Sequence, residues 1–375
     1  EAGLRLPLVA NMPQCYDYNV CGRAIPGLMT SSMFRDFSAT DPQVLFGGAY
    51  QLRHVTFENF HDLLLMNEAS RMLSSRAVPS ICAELQTGVL YDRPRLYTSD
   101  VALTLALCFG GGLNGVNGYM LAGGENPPGV GARGRFHEWQ AAIASDGTLR
   151  PHAQALQQAG EWIAVGGEAL AASSLLYDDA AFGFYAPYYM TEYATGEKPR
   201  WMEYYRDQLF FDGLARMLSL AGFRLPLVDL ERTSAALLAR HAALVVFSLE
   251  FMDRDVQARL LEYVRQGGRL ILYPTIPTTD LAFQPEPLLM EGLGIHHLQS
   301  IPGHLVSLDP AREVFVEGML WAIQAANAKA VARTPDGHPC AILKRVGRGQ
   351  LLALGFGLTH RFDYQVELIR NLMSR

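Results

Sequence analysis

The first half of the chain alternates between short apolar segments and longer segments with helical periodicity. The apolar segments end in polar or glycine residues and are Leu4–Ala10, Ile25–Thr30, Val78–Ala83 and Gly115–Leu121. Between them, Phe57–Leu73 repeats apolar residues at helical spacing, and Asp100 is placed to cap a helix over Val101–Phe109. Because neighbouring strands joined through a helix pair in parallel, the pattern predicts β/α units and an α/β fold.

The second half of the chain also alternates between predicted strands and predicted helices, and glycine residues mark its turns. The predicted strands are Phe182–Ala186, a short one at Val228, Ala243–Phe247 and Arg269–Tyr273, and the predicted helices are Tyr204–Leu220 and Val256–Arg265, the latter capped by Asp253 or Asp255. This order is typical of a doubly wound, flavodoxin-like sheet. Near the end of the sequence, the pattern predicts a hairpin around Gly347–Gly349 and a helix over Val366–Met373. We expect two domains, residues 1–172 and 173–375.

Composition excludes several classes of protein. With 49% hydrophobic and 18% charged residues, the chain is not intrinsically disordered, and its net charge of −6 predicts no nucleic-acid surface. The longest apolar stretch, Val101–Phe109, is too short to span a membrane. Five scattered cysteines lack zinc spacing and predict reduced thiols in a cytoplasmic protein. No phosphate or dinucleotide loop is found, so we expect no metal and no cofactor.

The sequence ICAELQTG (residues 81–88) places Glu84 where an apolar run ends. In a β/α barrel the carboxyl ends of the strands form the active site, and a glutamate there is suited to nucleophilic or acid/base catalysis. Glu84 is therefore the candidate catalytic residue. The alternative interpretation is a salt-bridged surface glutamate.

A second polar loop follows the segment Gly115–Leu121. It contains Gly123-Gly124, and Tyr119, Glu125 and Asn126 are candidate sugar-binding residues, together with Asn11 after the first strand and Tyr91. Aromatic faces pack against sugar C–H groups, and Tyr97, Phe136 and Trp139 lie nearby in the sequence. The alternative interpretation is a tight turn with Glu125 in solvent and aromatic residues that pack the core.

Three stretches resemble retaining β-galactosidases of glycoside hydrolase families 35 and 42. They are ICAELQTG, GVNGYMLAGGENP and HEWQAAIASDGTLRP, and YMLAGGEN is similar to the family's YMFHGGTN, with Glu125 where threonine is usual. The resemblance implies that the first domain is the C-terminal part, about strands five to eight, of a TIM (β/α)8 barrel. Residues 174–375 resemble the class I glutamine-amidotransferase-like domain that is associated with oligomer contacts, which implies a homo-oligomer.

The resemblance also implies a mechanism. Glu84 matches the family's nucleophile, and Tyr119, Glu125 and Asn126 match the loop beside the sugar subsite. The expected reaction is double-displacement hydrolysis of terminal β-galactosides or related oligosaccharides, with a second carboxyl group acting as acid and base.

The family's acid/base glutamate follows an asparagine in an earlier strand. The single Asn-Glu pair of this chain, Asn67-Glu68, lies in a helical pattern and does not match. A half barrel alone exposes sheet edges and core. We therefore expect the N-terminal half of the barrel to be a separate chain or a cleaved fragment that supplies the acid/base.

Two other functions remain open. Without an acid/base the chain would be a non-catalytic carbohydrate-binding or assembly subunit. An amidotransferase-like enzyme centred on the second domain would need a reactive cysteine, but Cys340 follows His338-Pro339 at the start of a strand, which is not a nucleophile elbow.

Overall fold

The computed structural model divides into two compact units, Glu1–Leu175 and Leu176–Arg375. It describes residues 8–12, 35, 44–50, 54–73, 79–88, 95–131, 134–190, 194–308, 312–358 and 364–374. The predicted strand Ile25–Thr30, the residue Tyr91 and the cysteines Cys15 and Cys21 lie outside these ranges. Cys82, Cys108 and Cys340 are buried and form no disulfide bond. Among the described helices, none has the length and apolar character needed to cross a bilayer.

The first unit contains a parallel sheet whose strands follow one another in chain order. Its described strands are β1 (Val9–Met12), β2 (Leu45–Tyr50), β3 (Ile81–Gln86) and β4 (Gly115–Tyr119), and they pair in the order β1-β2-β3-β4. The helices are Phe60–Leu73, Thr98–Gly110 and Ala153–Ala172. A short antiparallel pair, β5 (Gly124–Glu125) and β6 (Phe136–His137), follows β4. The predicted parallel β/α pattern is therefore found in this unit.

The helices lie side by side in chain order. Helix Phe60–Leu73 packs against β2 and against helix Thr98–Gly110, which in turn packs against β3 and helix Ala153–Ala172. The apolar side chains between sheet and helices are buried and include Leu63, Met66, Leu85, Val101, Leu105 and Cys108. Burial of this apolar face is the main force that holds the layers together.

Sequence patterns missed strand β2. Its sequence, LFGGAY, carries two adjacent glycines, and glycine normally weakens a strand. The structure explains Gly47, because a Cβ there would lie 2.6 Å from the Cβ of Ala83. The glycine is thus required by the close approach of β2 to β3.

Several boundaries in this unit differ from the predictions, among them those of β3 and of helix Thr98–Gly110. Strand β3 continues through Glu84 to Gln86, because Leu85 and Gln86 pair with Gly118 and Tyr119 of β4. Asp100 is not the N-cap of its helix. The helix begins at Thr98, and the Asp100 carboxylate accepts a hydrogen bond from the Tyr97 backbone N–H at 2.9 Å, as an acidic residue in the first turn does.

The eleven described strands of the second unit form a mixed sheet of nine strands and a separate ribbon of two. The strands are β7 (Ala180–Phe184), β8 (Leu227–Asp229), β9 (Ala243–Ser248), β10 (Arg269–Pro274), β11 (Ile295–Ile301), β12 (Leu305–Leu308), β13 (Arg312–Phe315), β14 (Leu320–Ala325), β15 (Ala328–Arg333), β16 (Pro339–Val346) and β17 (Gly349–Leu354). The large sheet has the order β13-β12-β15-β16-β17-β10-β9-β7-β8, and the ribbon is β11-β14.

The parallel strands β17, β10, β9, β7 and β8 form the core of this sheet. In chain order the parallel part reads 2-1-3-4-5, the order of a doubly wound sheet whose topological switch lies between β7 and β9. Tyr185, Tyr188 and Phe251, which follow the carboxyl ends of β7 and β9, are buried. Tyr185 and Tyr188 pack edge to face at 4.8 Å.

Helices of the second unit cover this sheet. They are Lys198–Tyr204, a π-helical turn region Tyr205–Ala215, Arg216–Leu220, Ala235–Leu238, Arg254–Arg265, Leu288–Gly292 and Tyr364–Met373, with a 3-10 turn at Ala186–Tyr189. The predicted hairpin is confirmed as β16-β17, with Gly347 at a φ of +59°. Sequence patterns missed β11 to β15, since strands such as IHHLQSI are mostly exposed and carry little periodicity.

Candidate functional site

The carboxyl ends of the parallel strands in the first unit carry Glu84 and Asn11. Glu84 lies on β3 and is half-buried, and Asn11 lies on β1. The Nδ2 of Asn11 donates a hydrogen bond of 2.6 Å to Oε1 of Glu84. An amide donor orients a carboxylate without bringing a compensating positive charge, which suits a carboxylate that must act on a substrate.

Strand β2 separates these two residues in the sheet. Asn11 is registered opposite Gly47 of β2, and Glu84 is registered opposite Ala49 after a shift in the pairing. The Asn11 side chain therefore reaches across β2 to contact Glu84.

Aromatic rings line the loop beyond β4. Tyr119 packs edge to face with Trp139, with ring centroids 6.0 Å apart, and His137 stacks on Trp139 at 5.6 Å. Trp139 and Gln140 have positive φ values of 40° and 49°, which L-residues adopt rarely and which often mark functional sites. The sequence singled out Tyr119 and Trp139 but not His137.

The ends of β3 and β4 are joined by backbone contacts. The N–H of Thr87 donates to the carbonyl of Tyr119 at 3.1 Å, and the Tyr119–Met120 peptide is cis. Gly88 follows, and a Cβ at this position would lie 2.7 Å from the Met120 carbonyl oxygen and 2.8 Å from that of Trp139. Glu84 and the aromatic rings are thus carried by two strand ends that are tied to each other.

A buried histidine lies behind this junction. Burial lowers the pKa of His152 from its usual range, while hydrogen bonding to the backbone of Gln140 and Thr87 opposes that effect. Glu138 nearby accepts hydrogen bonds from Ser145 and Arg150, which hold the pKa of its carboxyl below the usual value.

Glu125 and Asn126 have partners in the β5–β6 hairpin. Glu125 forms an ion pair with Arg135, and Asn126 Nδ2 donates to the Gly134 carbonyl at 2.9 Å. The Glu125 side chain is 46% exposed. These contacts stabilise the hairpin, and a contact of either residue with a sugar stays a prediction.

Other sequence candidates lie elsewhere. Tyr97 is exposed and packs near His54 at 5.6 Å, at the start of helix Thr98–Gly110. Asn67 is buried within helix Phe60–Leu73 and donates to the Leu107 carbonyl, while Glu68 pairs with Arg71. The Asn67-Glu68 pair thus has a structural role.

The second unit offers no sign of an activated thiol. Burial raises the pKa of Cys340 to about 12, so its thiol is protonated at neutral pH. In the part of the chain that the structure describes, no group of three or more histidine, cysteine or acidic side chains is arranged to hold a metal ion.

Comparison of the whole chain with solved structures defines its class as an α/β fold that glycoside hydrolases share. The β-galactosidase from Rahnella sp. R3 superimposes with a TM-score of 0.67 over 88% of this chain and 50% of its own, at 13% identity. At that identity the likeness concerns the fold alone.

Sequence comparison gives particular relatives. Residues 193–331 match the family described as "GLMA-like, second domain". A β-1,2-glucosyltransferase of Ignavibacterium album is 28% identical over 99% of this chain and 53% of that relative. An exo-β-D-glucosaminidase of Pyrococcus horikoshii is 28% identical over 68% of this chain and 33% of its own length. The chain therefore spans about half or less of the curated relatives it matches.

Proposed function

We propose that this chain carries the nucleophile of a retaining enzyme that acts on terminal β-linked sugars. Glu84 attacks the anomeric carbon, the glycosidic C–O bond breaks, and a glycosyl-enzyme ester forms. The observation that carries the proposal is the Asn11–Glu84 hydrogen bond at the carboxyl ends of parallel strands that run in chain order. In β/α barrels these ends form the active site.

The aromatic rings supply the sugar-binding side of the proposal. Tyr119, on the strand next to that of Glu84, and Trp139, which packs against Tyr119, offer apolar faces to a sugar in this proposal. The acid/base carboxyl comes, in this proposal, from polypeptide outside this chain. No step requires a metal or a cofactor.

In the second step the glycosyl group leaves Glu84 for an acceptor molecule. The identity of that acceptor distinguishes two possible activities. Water gives hydrolysis, and we propose β-galactosides as the first substrate class because of the motif resemblance, with β-glucosaminides second. A sugar hydroxyl gives transfer, a function favoured by the match of 99% of this chain to a β-1,2-glucosyltransferase. Both share the covalent intermediate on Glu84.

Covalent trapping tests the nucleophile without the missing acid. A 2-deoxy-2-fluoro glycoside with a dinitrophenolate leaving group needs no protonation to react, and galacto- and gluco-configured forms compare the two sugar classes. We expect intact-mass and peptide analysis to find one glycosyl group on Glu84. Glu84→Gln abolishes labelling, since the amide is a poor nucleophile, and the exposed Glu58→Gln leaves it unchanged.

The trapping experiment has outcomes that contradict the proposal. Labelling of another residue, or none with either probe, contradicts the assignment of Glu84. Retained sugar affinity without labelling favours the non-catalytic binding subunit instead.

A further inference from the structure

Four side chains of the first unit form a surface cluster outside the contacts of Glu84. They are His54, Arg95, Tyr97 and Asp100, and we call them the Tyr97 cluster. The ring centroids of His54 and Tyr97 lie 5.6 Å apart, and the guanidinium carbon of Arg95 lies 5.8 Å from the centroid of the Tyr97 ring. Tyr97 is 53% exposed, and Arg95 is exposed as well. The cluster therefore presents an aromatic ring and two polar side chains to solvent.

A buried carboxylate holds this cluster in place. The side chain of Asp100 is 8% exposed, and its Oδ2 accepts from the Tyr97 backbone N–H at 2.9 Å and lies 2.9 Å from Nδ1 of His54. Because a carboxylate accepts hydrogen bonds, Nδ1 of His54 carries a proton and Nε2 is an acceptor. The His54 side chain is 36% exposed, so its ring is oriented by Asp100 and is still accessible to a ligand.

The Tyr97 cluster belongs to the same edge of the sheet as Glu84. His54 follows β2 and residues 95–100 follow β3, so the cluster comes after the carboxyl ends of two neighbouring parallel strands. In β/α folds the loops at this edge carry the binding and catalytic residues. A substrate of Glu84 approaches from this edge.

One side chain links the Tyr97 cluster to the aromatic rings beyond β4. Oε1 of Gln140 accepts from the backbone N–H of Leu96 at 3.0 Å, and Leu96 is buried directly before Tyr97. Gln140 itself follows Trp139, whose ring packs against Tyr119, and it has a positive φ of 49°. Residues in this strained region often belong to functional sites. The loops that carry the two groups of rings are thus joined by a hydrogen bond.

We propose that the Tyr97 cluster is the acceptor subsite of the enzyme, which binds the sugar whose hydroxyl takes the glycosyl group from Glu84. The Tyr97 ring packs on sugar C–H groups, Nε2 of His54 accepts from one hydroxyl and Arg95 donates to another. The hydroxyl oxygen bonds to the anomeric carbon, the ester bond to Glu84 breaks, and the hydroxyl proton passes to the acid/base carboxylate. The inference rests on the proposed function, because it assigns the second sugar of the same reaction.

The test fills the site of the transferred sugar and then measures binding of a second sugar. The full chain is labelled on Glu84 with the 2-deoxy-2-fluoro glycoside and is titrated with methyl β-D-glucoside, followed by ligand-observed NMR. We expect the labelled chain to bind the glucoside. His54→Ala and Tyr97→Ala each weaken binding by about tenfold, because each removes a group that contacts the sugar. Tyr97→Phe keeps the ring and most of the affinity, and His297→Ala, an exposed histidine of the second unit, is the control.

Two results overturn the proposal. One is the absence of binding to the labelled chain, and the other is equal affinity in the wild-type chain and both alanine variants. If no probe labels Glu84, the proposed function fails, and the same titration of the unlabelled chain still tests the Tyr97 cluster. Weaker binding in His54→Ala then supports a sugar-binding site there, and unchanged affinity contradicts it.

Discussion

At the scale of single residues, the contact of Asn11 with Glu84 shows how a short polar side chain defines a site. The 2.6 Å bond from the Asn11 amide fixes one oxygen of the Glu84 carboxylate. A lysine in place of Asn11 would pair with the charge that the proposed nucleophile needs. The uncharged amide of Asn11 is thus compatible with the nucleophilic role proposed for Glu84.

His152 makes the stability of the first unit depend on pH. Its pKa is lowered by burial, so the unfolded chain binds more protons than the folded one below the ordinary histidine pKa of about 6.5. The contribution of His152 is fully present above that pH and is lost as the pH falls through it. We expect a smaller loss of unfolding free energy between about pH 7.5 and 5.5 in His152→Gln than in the wild-type chain.

Urea titrations at the two pH values measure this difference. His297→Gln changes an exposed histidine of the second unit and serves as the control. An unchanged pH dependence in His152→Gln would show that other groups cause it.

At the scale of elements, the start of helix Arg254–Arg265 differs from the predicted cap. Asp253 occupies the N-cap position, but its side chain makes no capping bond. The buried Tyr185 hydroxyl donates to the Asp253 carboxylate at 2.7 Å and accepts from the Asp253 N–H at 3.0 Å. The helix is therefore anchored to the end of β7 rather than capped locally.

Removing that hydroxyl should release the anchor. Tyr185→Phe leaves a partly buried carboxylate and a backbone N–H without their partner, at a cost of about 1.5–3 kcal/mol in unfolding free energy. Tyr177→Phe is the matched control, because its more exposed ring keeps the contact with Arg224 at 5.9 Å. Chemical unfolding followed by circular dichroism measures both, and equal stabilities of the two variants would rule out the anchoring role.

At the scale of the whole molecule, the two units differ in how completely they bury their apolar surface. The central strands β9 and β10 of the second unit are almost wholly buried. The first unit leaves the large apolar side chains of Leu8, Val9, Trp162 and Val165 exposed. A unit that buries its own core is the one expected to fold independently.

We expect the fragment Leu176–Arg375 to fold on its own. Calorimetry should show one cooperative transition with an enthalpy near 0.7 kcal/mol per residue, roughly the value of globular domains near 60 °C. The fragment Glu1–Leu175 should bind a hydrophobic dye and self-associate, because these large apolar side chains are exposed. A non-cooperative second fragment, or a monomeric first fragment that binds no dye, would contradict this contrast.

The sequence by itself determined the α/β class, the parallel units, the doubly wound order and the position of Glu84 near a strand end. These features follow from local periodicity and turn residues, which act over a few positions of the chain. Only the tertiary structure decided that Gly47 forms part of a strand, that Asn11 reaches Glu84 across it, and that His137 stacks on Trp139. Each of these depends on residues brought together from distant parts of the chain, and local patterns carry no record of such contacts.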